Sequence, residues 1–203
     1  RFATYKRADL VFRDLERLRS FGAGKLQFVF SGKAHPRDEG GKELIRKIFE
    51  AAKQLEDDIP VVFIEDYSMA TGAAMTSGVD VWMNNPVRPM EASGTSGMKA
   101  VMNGVPNCSI MDGWWPEACE HGINGWAVGG SDDERNDERD NRNLLDSIEH
   151  EILPLWQEGG LRWAAISRAA IKTGARFTAA RMIEDYQRIY ENFTPGAVHH
   201  DRE

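Results

Sequence analysis

Glu91-Ala92-Ser93-Gly94-Thr95-Ser96-Gly97-Met98-Lys99, continued by Ala100-Val101-Met102-Asn103-Gly104, is the stretch around which the chain is organised. It opens on a carboxylate, passes three hydroxyls and two glycines that let a ligand approach the backbone, and reaches a lysine as helical periodicity begins. That order describes an anion or sugar site at a helix N-terminus, where unpaired N–H groups and the helix dipole favour negative charge. The lysine there is either a point charge for phosphate or an amine able to condense with an aldehyde. A solvated lysine on a glycine-rich turn satisfies the same letters. The glycines stand too close for a Walker A loop and no Ser or Thr follows Lys99, nor do they form Gly-x-Gly-x-x-Gly.

Upstream, residues 26–30 form a short β-rich run ending in Ser31-Gly32-Lys33-Ala34-His35-Pro36, and residues 41–55 carry apolar positions at helical spacing. Pro60-Val61-Val62-Phe63-Ile64 is a continuous apolar run, the pattern of a strand buried on both faces of a parallel sheet. Glu65-Asp66-Tyr67 follows it; adjacent residues of an extended chain point opposite ways, which disfavours a carboxylate pair. A small-residue helix over 69–77 leads to a third β-like segment at 79–83, which delivers the central motif through a proline-stiffened loop. Residues 105–111 and 125–129 add two more strands. The prediction is a doubly wound parallel α/β sheet, Rossmann-like, whose informative residues Lys33, Tyr67, Glu91 to Lys99 and Asp112 lie just past strand ends, the edge where such sheets bind ligands. A domain over 1–175 and a terminal helix and tail over 176–203 follow, with helices over 144–156, 161–171 and from 176, and Thr178 near the last N-cap. Residues 131–143 are charge-rich and read as a solvated loop or frayed helix start.

The central motif resembles, nearly letter for letter, the pyridoxal-phosphate lysine segment of the α-glucan phosphorylases, the glycogen, starch and maltodextrin phosphorylase family: Glu-Ala-Ser-Gly-Thr, two small residues, Met-Lys, then a helix ending in Asn-Gly. The resemblance implies that Lys99 holds pyridoxal 5'-phosphate covalently, that Thr95 and Ser96 cradle its phosphate, and that Tyr67 lies against it. It implies that Glu91, Ser93 and Gly94 hold the sugar. Arg1-Phe2-Ala3-Thr4-Tyr5-Lys6-Arg7 matches the family's Arg, three residues, Tyr-Lys-Arg element, which puts a grip on substrate phosphate at Arg1 and Lys6. Taken without the family, the same cations are a solvated basic helix start. The chain departs from the animal pattern at Ser68, commonly arginine, and at Ser96-Gly97, where animal enzymes have Gly-Asn. Asp112-Gly113-Trp114-Trp115 is similar to the shorter bacterial and archaeal type.

On that resemblance the chain is expected to be the C-terminal part of a two-domain GT-B glycosyltransferase. The expected whole protein is a homo-oligomeric cytoplasmic enzyme moving terminal glucose from an α-1,4-glucan to inorganic phosphate, giving glucose 1-phosphate with retention. The glucan-binding N-terminal domain is absent from the sequence, so the chain alone is expected to be inactive. Two other readings stand: a sugar-nucleotide-dependent GT-B glycosyltransferase, in which Lys99 is a charge contact, and a non-catalytic glucan-binding domain, in which Trp114 and Trp115 line a groove, although the pair fits a core position at least as well.

The bulk properties bound these readings. With 203 residues and 41% hydrophobic content the chain can form a well-cored domain, and a net charge of −7 argues against nucleic-acid or acidic-membrane binding. Two cysteines, Cys108 and Cys119, make no disulfide framework, and with His121 they fit no standard zinc spacing, so no metal is expected. No apolar run is long enough for a membrane span.

Overall fold

Strand and helix alternate through most of the computed structural model, which describes residues 1–130 and 134–193. After 3-10 turns at Thr4–Lys6 and Leu10–Phe12 come α1 (Leu15–Gly22), β1 (Phe28–Ser31), α2 (Glu39–Gln54), β2 (Val61–Ile64), α3 (Met69–Gly78), β3 (Trp82–Asn84), α4 (Thr95–Met102), β4 (Asn107–Ile110), the short α5 (Trp115–Ala118) and β5 (Gly125–Val128). Helices then continue alone: α6 (Asp137–Ser147), a π-helical turn (Ile148–Ile152), α7 (Leu153–Glu158), α8 (Gly160–Gly174), a 3-10 turn (Ala175–Phe177) and α9 (Ala179–Phe193). The backbone stays right-handed helical from α6 through the π turn into α7, so Pro154 lies inside one continuous helical run, and the wider π turn lies just before the N–H it lacks.

All strand pairings are parallel, as the buried apolar runs predict, in two hydrogen-bonded groups, β1-β2 and β3-β4-β5. Residues 2–5 link them: Phe2 bridges Ala34 just beyond β1, and the Tyr5 carbonyl accepts the Val87 N–H beyond β3 at 2.7 Å. β4 is buried throughout and divides its side chains between two layers. Cys108 and Ile110 face a core built with Leu18, Ile48, Trp126 and Leu144, while the Asn107 amide reaches the Gly97 carbonyl of α4 on the other side. Each fully buried aliphatic of that core contributes about 1.5–3 kcal/mol of transfer free energy. A second cluster, Val101, Trp114, Trp115, Ala118 and Ala170, packs α4, α5 and α8 together.

Two expectations are corrected. β2 is not buried on both faces: Val62 is 47% and Ile64 38% exposed, so one face meets solvent and only the alternate residues, Val61 and Phe63, pack on the core. The charge-rich run is largely helix. Residues 131–133 lie outside the described residues, as does the polar tail from 194, but α6 begins at Asp137 with Asn136 as N-cap, its side chain accepting the Arg139 N–H at 2.9 Å. Asp137 and Asp140 of its first turn are drawn inward by a buried arginine, which a reading of charge alone does not foresee.

Candidate active site

The central motif sits at the start of α4, past the end of β3. Gly94 is the N-cap with φ +88°, a left-handed conformation natural to glycine, and no side chain caps the first turn. Among the described residues the N–H groups of Thr95 and Ser96 have no partner. Thr95 is exposed and Ser96 half-buried. Gly97 is buried, and a Cβ there would fall 2.5 Å from Asn107 Oδ1 and 3.0 Å from Trp114 Nε1, so the helix rests directly on those two side chains. Lys99, one turn further on, is exposed, and among the described residues its amine makes no hydrogen bond or ion pair. Thr95 and Lys99 are four residues apart and so share one face of the helix, about 6 Å apart along its axis.

Beside this helix, Glu91 is 8% exposed and its Oε2 accepts from Lys6 Nζ at 2.7 Å. Its own N–H donates to Asp112 Oδ2 at 2.8 Å, while Asp112 Oδ1 accepts the Gly113 N–H at 2.9 Å. The Trp114 N–H then donates to the Ser93 carbonyl at 2.8 Å. The Asp112-Gly113-Trp114 turn beyond β4 is thus the bed on which the 91–94 loop lies. The sequence marks Asp112 only as a strand-end residue; its signal is the Asp-Gly pair just past a buried apolar run.

Arg1 is exposed, and its backbone nitrogen lies near enough to Lys6 and Glu91 to feel both charges. Tyr67 is 43% exposed, with its hydroxyl 2.5 Å from where a Cβ on Gly72 would stand, so the ring covers the start of α3, a helix that packs against α4. Ser68 caps α3, its Oγ accepting the Thr71 N–H at 3.1 Å. The structure therefore joins Lys6 directly to Glu91 and sets Ser93, Gly94, Thr95, Ser96 and Lys99 on one continuous loop and helix. No contact brings Tyr67 to that group. Lys33 and His35 serve the backbone: the Lys33 carbonyl accepts the Phe2 N–H, and His35 Nδ1 accepts the Arg37 N–H. The paired tryptophans line no groove. Trp114 is 5% and Trp115 0% exposed, and the Trp115 indole N–H donates to the Trp126 carbonyl. Burial pushes the thiols of Cys108 and Cys119 up, the latter to about 12, so neither is poised as a nucleophile.

These residues fit a small phosphorylated aldehyde such as pyridoxal phosphate. Open amides and hydroxyls at the N-terminus of α4, with the positive end of its dipole, suit a phosphate. An unengaged amine stands on the same helix face one turn away.

The family profile described as carbohydrate phosphorylase matches residues 9–121. Maltodextrin phosphorylase of Thermococcus litoralis is 44% identical over 98% of this chain and 25% of its own length. Glycogen phosphorylase of Aquifex aeolicus is 43% identical over 92% of this chain and 28% of its own. The chain thus spans about a quarter of the length of these curated relatives. Among solved structures, the Anabaena protein HepE in complex with UDP and glucose superposes with a TM-score of 0.67 at 16% identity, covering 95% of this chain and 46% of that one. The pneumococcal O-GlcNAc transferase GtfA in complex with UDP and GlcNAc gives 0.66 at 21% identity, covering 95% and 34%. At such identities the likeness shows the fold, that of glycosyltransferases of the GT-B type.

Proposed function

Because the chain belongs to the carbohydrate phosphorylase family, we propose that it carries the phosphate- and cofactor-binding side of an α-1,4-glucan phosphorylase. The whole reaction moves a terminal glucose to inorganic phosphate: the bond from C1 to the glycosidic oxygen breaks, a bond from C1 to a phosphate oxygen forms with retention, and a proton passes to the departing glucan oxygen. The proposal extends to a cytoplasmic, homo-oligomeric whole protein, with the fold of 1–175 as its GT-B C-terminal domain and 176–203 as a helical extension.

The observation that carries this reading is the 2.7 Å pair between Lys6 and Glu91 beside the open N-terminus of α4. A cation for phosphate and a carboxylate for sugar hydroxyls meet at one point, as a substrate joined through a sugar–phosphate bond requires. Lys6, with Arg1, holds phosphate where negative charge shifts during transfer, a preorganised electrostatic role. Glu91 and the amides of Ser93 and Gly94 fix the sugar, and Asp112 keeps that loop from drifting. Lys99 retains pyridoxal phosphate, Thr95 and Ser96 orient its phosphate, and Tyr67 closes that side through α3. When bound, the cofactor supplies through its phosphate a proton donor and acceptor beside the substrate phosphate.

Trapping tests the assignment. The chain is incubated with pyridoxal phosphate, reduced with borohydride, which captures even weak occupancy, and mapped by peptide mass. One adduct at Lys99, lost in Lys99→Ala, is expected. Adducts scattered over surface lysines and unchanged in Lys99→Ala would overturn the cofactor role. Protection from unfolding by a sugar nucleotide, without a Lys99 adduct, would favour a nucleotide-dependent glycosyltransferase.

A further inference from the structure

Arg7 is the one buried basic side chain among the described residues, 2% exposed, and its backbone is left-handed at φ +43°. A non-glycine residue in that region costs on the order of 1 kcal/mol, which the side chain's bonds must offset. The guanidinium is engaged on three sides. Nε donates to the Asn85 carbonyl at 2.9 Å, Nη2 to the Pro86 carbonyl at 2.7 Å, and Nη1 to Asp137 Oδ1 and Asp140 Oδ2 at 2.8 and 2.7 Å. Two of its acceptors are the carbonyls where the chain leaves β3 towards Glu91; the other two lie in the first turn of α6.

Its neighbours stitch the same two segments together. The Tyr5 carbonyl takes the Val87 N–H, and Lys6 reaches Glu91. The turn at 5–7 therefore touches the 85–91 loop at three successive levels. Only the Arg7 level is shielded from water and held by a planar fork whose donors fix direction as well as distance. The Lys6–Glu91 pair is partly solvated and joins a flexible side chain, so it cannot fix the backbone that carries it.

We propose that Arg7 is a positioning residue: through its bonds to the Asn85 and Pro86 carbonyls it sets the Lys6 turn against the Glu91 loop and so fixes the spacing at which phosphate and sugar are held. The inference rests on the reading of Lys6 and Glu91 as ligand contacts, but its first test needs no ligand. A lysine at position 7 keeps the charge and loses the fork.

The experiment is a double-mutant cycle on the chain, Lys6→Met with Glu91→Gln, read by urea unfolding in the Arg7 and Arg7→Lys backgrounds. A purely structural Arg7 lowers stability and leaves the Lys6–Glu91 coupling unchanged. A positioning Arg7 makes the coupling fall by more than half in Arg7→Lys. The control Asp140→Asn, which spares both carbonyl bonds, should lose stability and keep the coupling. Equal coupling in Arg7 and Arg7→Lys, or an equal loss in Asp140→Asn, would overturn the proposal. If Arg7→Lys does not fold, Arg7→Gln is compared with Arg7 in the Asp137→Asn/Asp140→Asn background, where no acid is stranded, with the same two outcomes. Titration with inorganic phosphate reports separately on the site: absence of binding to the unsubstituted chain would count against Lys6 as a phosphate contact, while the cycle still decides the role of Arg7.

Discussion

Lys6 Nζ stands 2.7 Å from Glu91 Oε2, so a cation read as a phosphate grip and a carboxylate read as a sugar contact are bound to each other across 85 positions of sequence. A phosphate on Lys6 must then share that ammonium with Glu91, whose charge repels it. A unit charge about 5 Å away costs about 1 kcal/mol even at the dielectric of water. Glu91→Gln should therefore bind inorganic phosphate about fivefold more tightly, and Lys6→Met should lose it. Titration calorimetry measures both. Weaker binding in Glu91→Gln would mean that phosphate does not use Lys6.

The 91–94 loop depends on glycines outside it. A Cβ on Gly113 would fall 2.5 Å from the Ser93 carbonyl oxygen, at a residue whose φ is +60°. Both the contact and the conformation oppose a side chain, so Gly113→Ala should destabilise the chain by about 1–3 kcal/mol and shift the loop. Gly122→Ala is the comparison: φ is +75° there, but nothing lies within 4 Å, so only the conformational cost applies. Urea unfolding of the two should place Gly113→Ala well below Gly122→Ala. Equal losses would show that the Gly113–Ser93 contact yields easily.

Alternation of strand and helix was legible because each strand is a short apolar run past a turn, and the loop motif because its letters are contiguous. What escaped depends on partners distant in sequence. Nothing near Arg7 announces that Asn85, Pro86, Asp137 and Asp140 will enclose it, so it looks like one of three solvated cations. The apolar run at β2 looked buried on both faces because composition does not reveal that the face carrying Val62 and Ile64 meets solvent. Residue type alone left Trp114 and Trp115 open between a sugar groove and the core; their burial against Gly97 and Trp126 makes them the floor beneath the site. Ser68 looked like a missing arginine, whereas it supplies the cap that starts α3.

The enclosed carboxylate Asp137 should be among the last to take up a proton in acid, and its protonation should cost stability. Arg135 in a two-point hydrogen bond, and then Arg7, hold Asp137 at about 2, against burial, which raises it. A folded-state pKa below the unfolded value of 3.8 contributes stability that is fully present above about pH 4 and is lost as pH falls through 2. Since one unit corresponds to about 1.4 kcal/mol, Asp137 accounts for roughly 2 kcal/mol of that acid limb. Unfolding free energy measured from pH 5 to pH 2 should fall less steeply in Asp137→Asn. An unchanged slope would show that other carboxylates carry the acid sensitivity.

The boundary of the cooperative unit is the remaining question, and it turns on Phe177. α9 has no buried residue, and Met182, Ile183, Tyr186, Ile189, Tyr190 and Phe193 are all about half exposed or more. Among the described residues, Arg181 ties it to the preceding turn, lying over the Phe177 ring, reaching the Arg176 carbonyl and donating its N–H to Thr178 Oγ1. Phe177 itself packs edge-on against Trp114, ring centres 4.9 Å apart, and Trp114 touches Gly94 and Gly97 of the site. Ending the chain after Thr178 should then change stability by no more than about 0.5 kcal/mol, as for a surface change. Phe177→Ala removes an aromatic contact from a packed cluster and should cost about 1–3 kcal/mol. That contrast would move the boundary expected at 175 to just beyond 177. A truncation as damaging as Phe177→Ala would instead make α9 part of the folded unit despite its exposure.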